Sequence, residues 1–150
     1  MSNKTTTKDV SLEIKEIQES GLRVTEPRKK ILHIFESNED QHFTADMIYS
    51  ELKKQGENVG FATVYRVLTQ FEEAGLLVRH NFDSGHAVFE LKKKCHHDHL
   101  VCISCGKIIE FLDDSIEARQ CKVAKDAGFE VTSHSLTIFG YCSECRGNTK

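Results

Sequence analysis

Four absences narrow the reading before any motif is considered. No apolar run is long enough to cross a bilayer, where a spanning helix needs about 20 predominantly apolar residues. Residues 1–8 are polar and hold no apolar segment of the secretory type, so the expected compartment is the cytoplasm, where thiols stay reduced. Neither sign of charge is in excess: 20 Lys and Arg stand against 23 Asp and Glu, a net charge of −3. Division after Lys92 leaves 12 against 15 before it and 8 against 8 beyond. Any nucleic acid must therefore be held by local clusters and not by the overall field. The only proline, Pro27, is far from every cysteine, which removes the Pro-Cys-x-x-Cys arrangement of the zinc deaminases.

What is present is a concentration of metal-binding side chains. Between Cys95 and Cys105 stand Cys95, His96, His97, Asp98, His99, Cys102 and Cys105. A second pair, Cys142 and Cys145, follows later. Two Cys-x-x-Cys pairs make a four-thiolate zinc site, because each short turn lets both sulfurs reach one tetrahedral ion. The gap between the pairs is too long for a zinc knuckle, so a folded domain must lie between them. In a reducing compartment the six cysteines read as metal ligands before disulfides. Cys95 and Cys121 fall outside both pairs and are expected to be free thiols.

The chain is 150 residues long, room for one domain or two small ones. Residues 1–9 read as disordered. Apolar Val10, Leu12, Ile14 and Ile17 predict a short helix over 10–20, broken at Gly21. Thr25 is placed to cap a second helix with Pro27 in its first turn, where a missing N–H costs little. Thr44 caps a third, with Ala45, Ile48 and Leu52 inward and Gly56 at its end. A fourth runs over 61–74 and stops at Gly75, a left-handed C′ position. Residues 76–82 and 86–91 then read as strands joined by a turn at Asp83, Ser84 and Gly85. Three helices followed by a hairpin are the order of a winged helix-turn-helix. On the fourth helix Val64, Val67, Leu68 and Phe71 form one apolar stripe, with Ala62, Arg66 and Thr69 opposite and Tyr65 at the border. Small residues with Arg and Tyr suit a helix lying in a major groove.

Lys92, Lys93 and Lys94 read as a hinge, taken as residues 92–95 between a domain over 1–91 and one over 96–150. The second half reads β-β-α-β: strands over 99–103 and 107–112, a helix from Asp114 with Ile116, Gln120, Val123, Ala124 and Ala127 along one side, and a β-rich stretch over 129–141 with a bulge near Ser133. A zinc site would staple a core this small. Were residues 96–99 a strand, alternation would put His97 and His99 on one face and His96 and Asp98 on the other. One strand would then serve two nitrogen/oxygen sites. Their partners would come from His42, Glu90, Glu110, Glu117 and His134, each of which also has an ordinary reading: surface residues, or Glu117 in a capping box with Asp114. His33, His80 and His86 stay unassigned and are expected mostly at the surface.

Thr25, Pro27 and Arg28, the run from Ala62 to Leu68, the run from His96 to His99, Cys102 with Cys105, Gly106 and Lys107, and the run from Asp114 to Gln120 together resemble the ferric uptake regulator family of bacteria. The resemblance runs from about Gly21 to Arg146. It implies an α+β protein: an N-terminal winged helix-turn-helix followed by a small α/β dimerisation domain with a three-stranded sheet. The implied function is a metal-dependent transcriptional repressor of iron uptake and homeostasis genes. Implied partners are double-stranded DNA with a pseudo-palindromic operator and a second copy of the chain, with tetramer formation left open and no membrane. The structural zinc set falls on Cys102, Cys105, Cys142 and Cys145. The regulatory set, for Fe²⁺ with Mn²⁺, Co²⁺ or Zn²⁺ as substitutes, falls on His42, Glu90, His97, His99 and Glu110. A further set falls on His96, Asp98, Glu117 and His134. DNA contacts fall on Arg23 in the minor groove and on Thr63, Tyr65 and Arg66 of the fourth helix. A regulatory set free of cysteine disfavours a zinc sensor, and Glu90 leans toward iron over the peroxide-sensing relatives; a sibling sensor of the same family that responds to peroxide, Mn²⁺ or Zn²⁺ is the alternative.

Readings from other classes fare worse. A zinc hydrolase would need the His-x-His-x-Asp-His spacing that residues 96–99 lack, and five protein ligands would leave little room for an activated water. A zinc ribbon that binds no DNA would leave the Tyr65–Arg66 helix unexplained.

Overall fold

Caps and glycines set the element boundaries. The computed structural model describes residues 7–82, 85–92 and 95–147, the side chains of residues 7–12 excepted. The expected turn residues Asp83 and Ser84, the hinge residues Lys93 and Lys94, and the disorder expected over residues 1–6 lie outside the described residues. The chain divides into two compact units, Met1–Lys92 and Lys93–Lys150.

The first unit runs α1 (Thr7–Glu19), α2 (Glu26–Glu36), α3 (Ala45–Lys54), α4 (Phe61–Glu73), β1 (Leu77–His80) and β2 (Val88–Leu91). Residues 7–9, expected to be disordered, are the first turn of α1. Thr25 caps α2 by accepting from the Arg28 N–H, with Pro27 in the first turn, and Thr44 caps α3 by accepting from the Met47 N–H. After α4 the chain reverses at Gly75, whose φ of 78° is the left-handed conformation open to glycine. The Gly75 N–H bonds the Glu72 carbonyl and the Leu76 N–H the Phe71 carbonyl, the paired bonds of a Schellman stop. Val64, Val67, Leu68 and Phe71 of α4 are all buried, in one core with Phe35, Ile48, Leu52 and Phe89. β1 and β2 form a two-stranded antiparallel hairpin. It gains a bridge that the sequence did not announce: Phe43 and Phe89 exchange both backbone bonds, at 2.9 and 2.8 Å.

Where α1 packs on α2, Glu13 is buried and bonded to His33. Burial, with Glu16 and Glu13 close by, pushes the Glu36 carboxyl up to about 9. A carboxyl whose folded pKa lies above its unfolded value keeps its proton while the unfolded chain loses one, so stability falls as pH rises from about 4.5 to about 9. Glu36→Gln should therefore raise stability at pH 8, by about 1 kcal/mol after allowance for partial exposure, and leave it unchanged at pH 4. Urea unfolding at the two pH values reads the difference.

The second unit holds β3 (Asp98–Cys102), β4 (Ile108–Phe111), α5 (Asp114–Asp126) and β5 (Thr137–Gly140). The sheet order is β4-β3-β5, with β4 antiparallel and β5 parallel to β3. Asp113 caps α5 by accepting from the Ser115 and Ile116 N–H groups, which removes the ordinary reading of Glu117 as the partner of Asp114 in a capping box. The stretch expected to be β-rich over 129–141 is a strand only over Thr137–Gly140. β3 is five residues long and pairs β5 over four of them, and the ladder begins with the bond from the His99 N–H to the Leu136 carbonyl, after residues 129–135. The apolar interior here is slight: Val101 and Cys102 are the buried hydrophobic residues among those described, and α5 buries none.

Candidate metal centres and nucleic-acid interface

The parallel register assembles the four cysteines. Cys102 ends β3 opposite Gly140 at the end of β5, and the Ile103 N–H bonds the Gly140 carbonyl. Both chains turn at this edge. Gly106, at φ 76°, closes the first turn by donating to the Cys102 carbonyl. Cys145 and Arg146 donate to the Cys142 carbonyl and close the second. Cys102, Cys105, Cys142 and Cys145 then place their sulfurs within 4.8 Å of one another. Cys105 Sγ and Cys142 Sγ are 3.8 Å apart, the edge of a tetrahedron of about 2.3 Å Zn–S bonds. N–H groups of Cys105 and Cys142 hold the Cys102 thiol down at about 6, whereas the Cys142 sulfur pushes Cys145 up to about 12. Four thiolates this close resist full ionisation unless a cation lies among them, so the donors fit zinc. Cys95 and Cys121 are exposed free thiols.

A second group lies beside the start of α5. His96 Nε2 is 3.3 Å from Glu117 Oε1, His134 Nε2 bonds Glu117 Oε2, and the two rings are 4.3 Å apart. Ligand atoms of these three residues fall within 4.8 Å of one another. Asp98 is fully buried next to them. Its Oδ1 meets His96 Nε2 at 3.1 Å and accepts from the Leu136 N–H, while Oδ2 has no hydrogen-bond partner among the described residues.

The remaining candidates fall into two groups, one in each unit. In the first unit, Phe43 pairing with Phe89 brings the neighbouring His42 to Glu90. Their side chains are bonded and only 4% and 2% exposed. His80, expected at the surface, meets Glu90 Oε1 at 2.9 Å and stacks on Phe82 with centroids 5.0 Å apart. The hairpin explains this contact: Val78 faces Glu90 and His80 faces Val88, so His80 and Glu90 are diagonal neighbours on one face. In the second unit His99 pairs across the strands with Glu110, and His97 Nε2 lies 3.6 Å from Glu110 Oε1. The His97 and His99 rings are 4.9 Å apart. β3 starts only at Asp98, so the strand alternation expected over 96–99 reaches Asp98 and His99 alone. His96 and His97 approach their groups from the segment before the strand. His33 bonds Glu13, and His86 is exposed.

The outer face of α4 carries Ala62, Tyr65 and Arg66, all exposed, with Thr63 half-buried beside them. Arg79 of β1 was not singled out by its sequence context. It donates to Tyr65 Oη at 3.4 Å, lies 3.9 Å from Glu72 and packs over the Phe89 ring. Arg23 is exposed on the connection between α1 and α2. No helix among the described residues is long and apolar enough to cross a membrane.

The profile of the ferric uptake regulator family matches residues 19–139. The ferric uptake regulation protein of Legionella pneumophila is 51% identical over 134 residues, 89% of this chain and 98% of that protein. The crystal structure of the Vibrio cholerae ferric uptake regulator aligns with a TM-score of 0.81 at 48% identity, covering 86% of this chain and 98% of that one. The Francisella tularensis ferric uptake regulator, solved with iron, aligns at 0.80 and 44% identity, covering 84% and 96%. The chain belongs to the ferric uptake regulator family, a family of iron-responsive DNA-binding transcriptional repressors.

Proposed function

We propose that the chain is a cytoplasmic repressor of iron uptake and homeostasis genes, in which Fe²⁺ fixes one relative angle between a DNA-binding unit and a dimerisation unit. Cys102, Cys105, Cys142 and Cys145 hold a structural Zn²⁺. His42 and Glu90 from the first unit, with His97, His99 and Glu110 from the second, hold the regulatory ion. His96, Asp98, Glu117 and His134 form a further metal site. Nitrogen and oxygen donors of this kind accept Fe²⁺, with Mn²⁺, Co²⁺ or Zn²⁺ able to take its place.

The observation that carries the reading is the division of the regulatory donors. A buried His–Glu pair sits in one unit and two histidines with a glutamate in the other, so one ion bound by all five must tie the units together. In a homodimer that angle sets the spacing of the two α4 helices, and hence their fit to the half-sites of a pseudo-palindrome. Tyr65, Arg66 and Thr63 then meet the major groove, and Arg23 enters the adjacent minor groove, where A/T-rich steps attract an arginine. Dimer formation is supported by the apolar surface that one copy leaves open. Leu112 is 57% exposed, Val123 64% and Phe129 73%, and α5 with residues 129–136 lines an open, largely apolar groove of about 830 Å³. A second copy covers such a face at no cost in specificity.

An anaerobic gel shift tests the reading. The zinc-loaded protein should retard a duplex selected from a random-sequence pool when Fe²⁺ or Mn²⁺ is present, and release it when the ion is chelated. Binding indifferent to both ions would overturn the metal dependence, and no selected duplex at all would overturn the DNA-binding role.

A further inference from the structure

Arg28 does not belong to any of the groups described above, yet it joins three of their supports. It stands in the first turn of α2, and its own N–H is the donor to the Thr25 cap. Its guanidinium donates through Nη1 to the Arg23 carbonyl at 2.6 Å and through Nη2 to Gln70 Oε1 of α4 at 2.7 Å. No carboxylate pairs with it among the described residues. The two donors belong to one rigid plane, so the Arg23 backbone and the middle of α4 are held at a fixed separation.

We propose that Arg28 is a positioning residue for DNA binding: through its two bonds it sets the reach of the Arg23 side chain relative to α4. This rests on the reading that Arg23 enters the minor groove while α4 occupies the major groove. Those grooves are separated by one sugar–phosphate strand, so both can be read together only if the arm and the helix keep one spacing. Arg23 sits on a connection with no strand ladder of its own, and its side chain is long and rotatable. An arm of this kind loses little enthalpy but much precision when its backbone anchor is released. Gln70 completes the tie from the α4 side, four residues beyond Arg66. Lysine keeps the charge of Arg28 but presents a single rotatable donor head and cannot hold the same fork.

The test is a double-mutant cycle measured on Mn²⁺-loaded, zinc-replete protein with a duplex selected from a random-sequence pool. Arg28→Lys and Gln70→Ala should each weaken binding about tenfold, and each should reduce the penalty for replacing A·T pairs under the arm with G·C. Gln70→Ala removes the tie without touching any charge and stands in if Arg28→Lys folds poorly, as judged by thermal unfolding. In an Arg23→Ala background both substitutions should change affinity less than about twofold, because the arm they position is gone. A further tenfold loss for Arg28→Gln in that background, with a salt slope lowered by about one, would mean that Arg28 contacts a phosphate directly, and the proposal would fall. Wild-type affinity in Gln70→Ala with Arg23→Ala still impaired would sink the positioning role alone. Wild-type affinity in Arg23→Ala would sink the minor-groove reading beneath it.

Discussion

Cys102→Ser abolishes zinc binding, unfolds the second unit and dissociates the dimer, while the helices of the first unit persist. The expectation rests on how little else holds residues 93–150 together. Among its described residues the unit buries only two hydrophobic side chains, one of them Cys102 itself. A three-stranded sheet of four- and five-residue strands lies below what a hydrophobic core alone sustains. Four-cysteine zinc sites contribute folding free energy of about 10–16 kcal/mol in small metal-dependent domains, an order of magnitude above any single contact here. Serine removes one thiolate and with it the tetrahedron, and the Cys142 N–H, which donates to Cys102 Sγ at 3.4 Å, loses its acceptor. Zinc content by mass spectrometry, mass in solution and far-ultraviolet circular dichroism read the three effects together. A native-like dimer without zinc would contradict the staple. Chelation of the unmodified protein at neutral pH should reproduce the variant.

His42→Ala and Glu90→Gln have the opposite profile: zinc and dimer stay, and metal-activated DNA binding falls about 10- to 100-fold, the scale of a coupling free energy of 1.4–3 kcal/mol. An ion shifts a conformational equilibrium only by its difference in affinity between the two states. With one of the two first-unit ligands removed, the ion still binds His97, His99 and Glu110, but discriminates less between relative placements of the units. Binding with weakened coupling is the signature to look for. Calorimetry with Mn²⁺ should still detect the ion, more weakly, whereas operator affinity depends on it much less. Retention of normal metal activation in both variants would refute the clamp. Glu90→Gln is the more searching of the two. It preserves shape and leaves both His42 and His80 a hydrogen-bonding partner, so a loss of response cannot be laid to a cavity.

The sequence was most legible where one physical signal acts alone. The α4 stripe is a 3.6-residue period in a helix packed on one side, and Val64, Val67, Leu68 and Phe71 all proved buried. Thr25, Thr44 and Gly75 were legible because a cap and a left-handed stop each have one chemical solution. The Cys-x-x-Cys pairs were legible because their ligand spacing is local. What failed depends on pairing at a distance. A single bridge between Phe43 and Phe89 has no period, yet it decides that His42 reaches Glu90. His80 looked like a surface residue because only the hairpin register makes it a neighbour of Glu90. That register was recoverable in part: a turn centred near residue 84 pairs 78 with 90 and 80 with 88. Residues 129–135 have the β-branched and aromatic content of a strand, but propensity cannot supply a partner edge. Arg28 and Arg79 were invisible as supports, since a guanidinium announces neither the carbonyl nor the ring it will meet.

The parallel alignment of Cys102 with Gly140 also has a consequence in time. Cys105 and Cys142 are 37 residues apart, and the strand that carries the second pair to the sheet edge is the last of the five to be made. At about 5–20 residues per second, about 2–8 s pass between synthesis of Cys105 and synthesis of Cys145. Until then neither the Cys142 N–H that helps to acidify Cys102 nor the second pair of sulfurs exists, so the closed site cannot form before β5 is made. Zinc capture is therefore a late step, set by the arrival of the last strand and not by the first Cys-x-x-Cys pair.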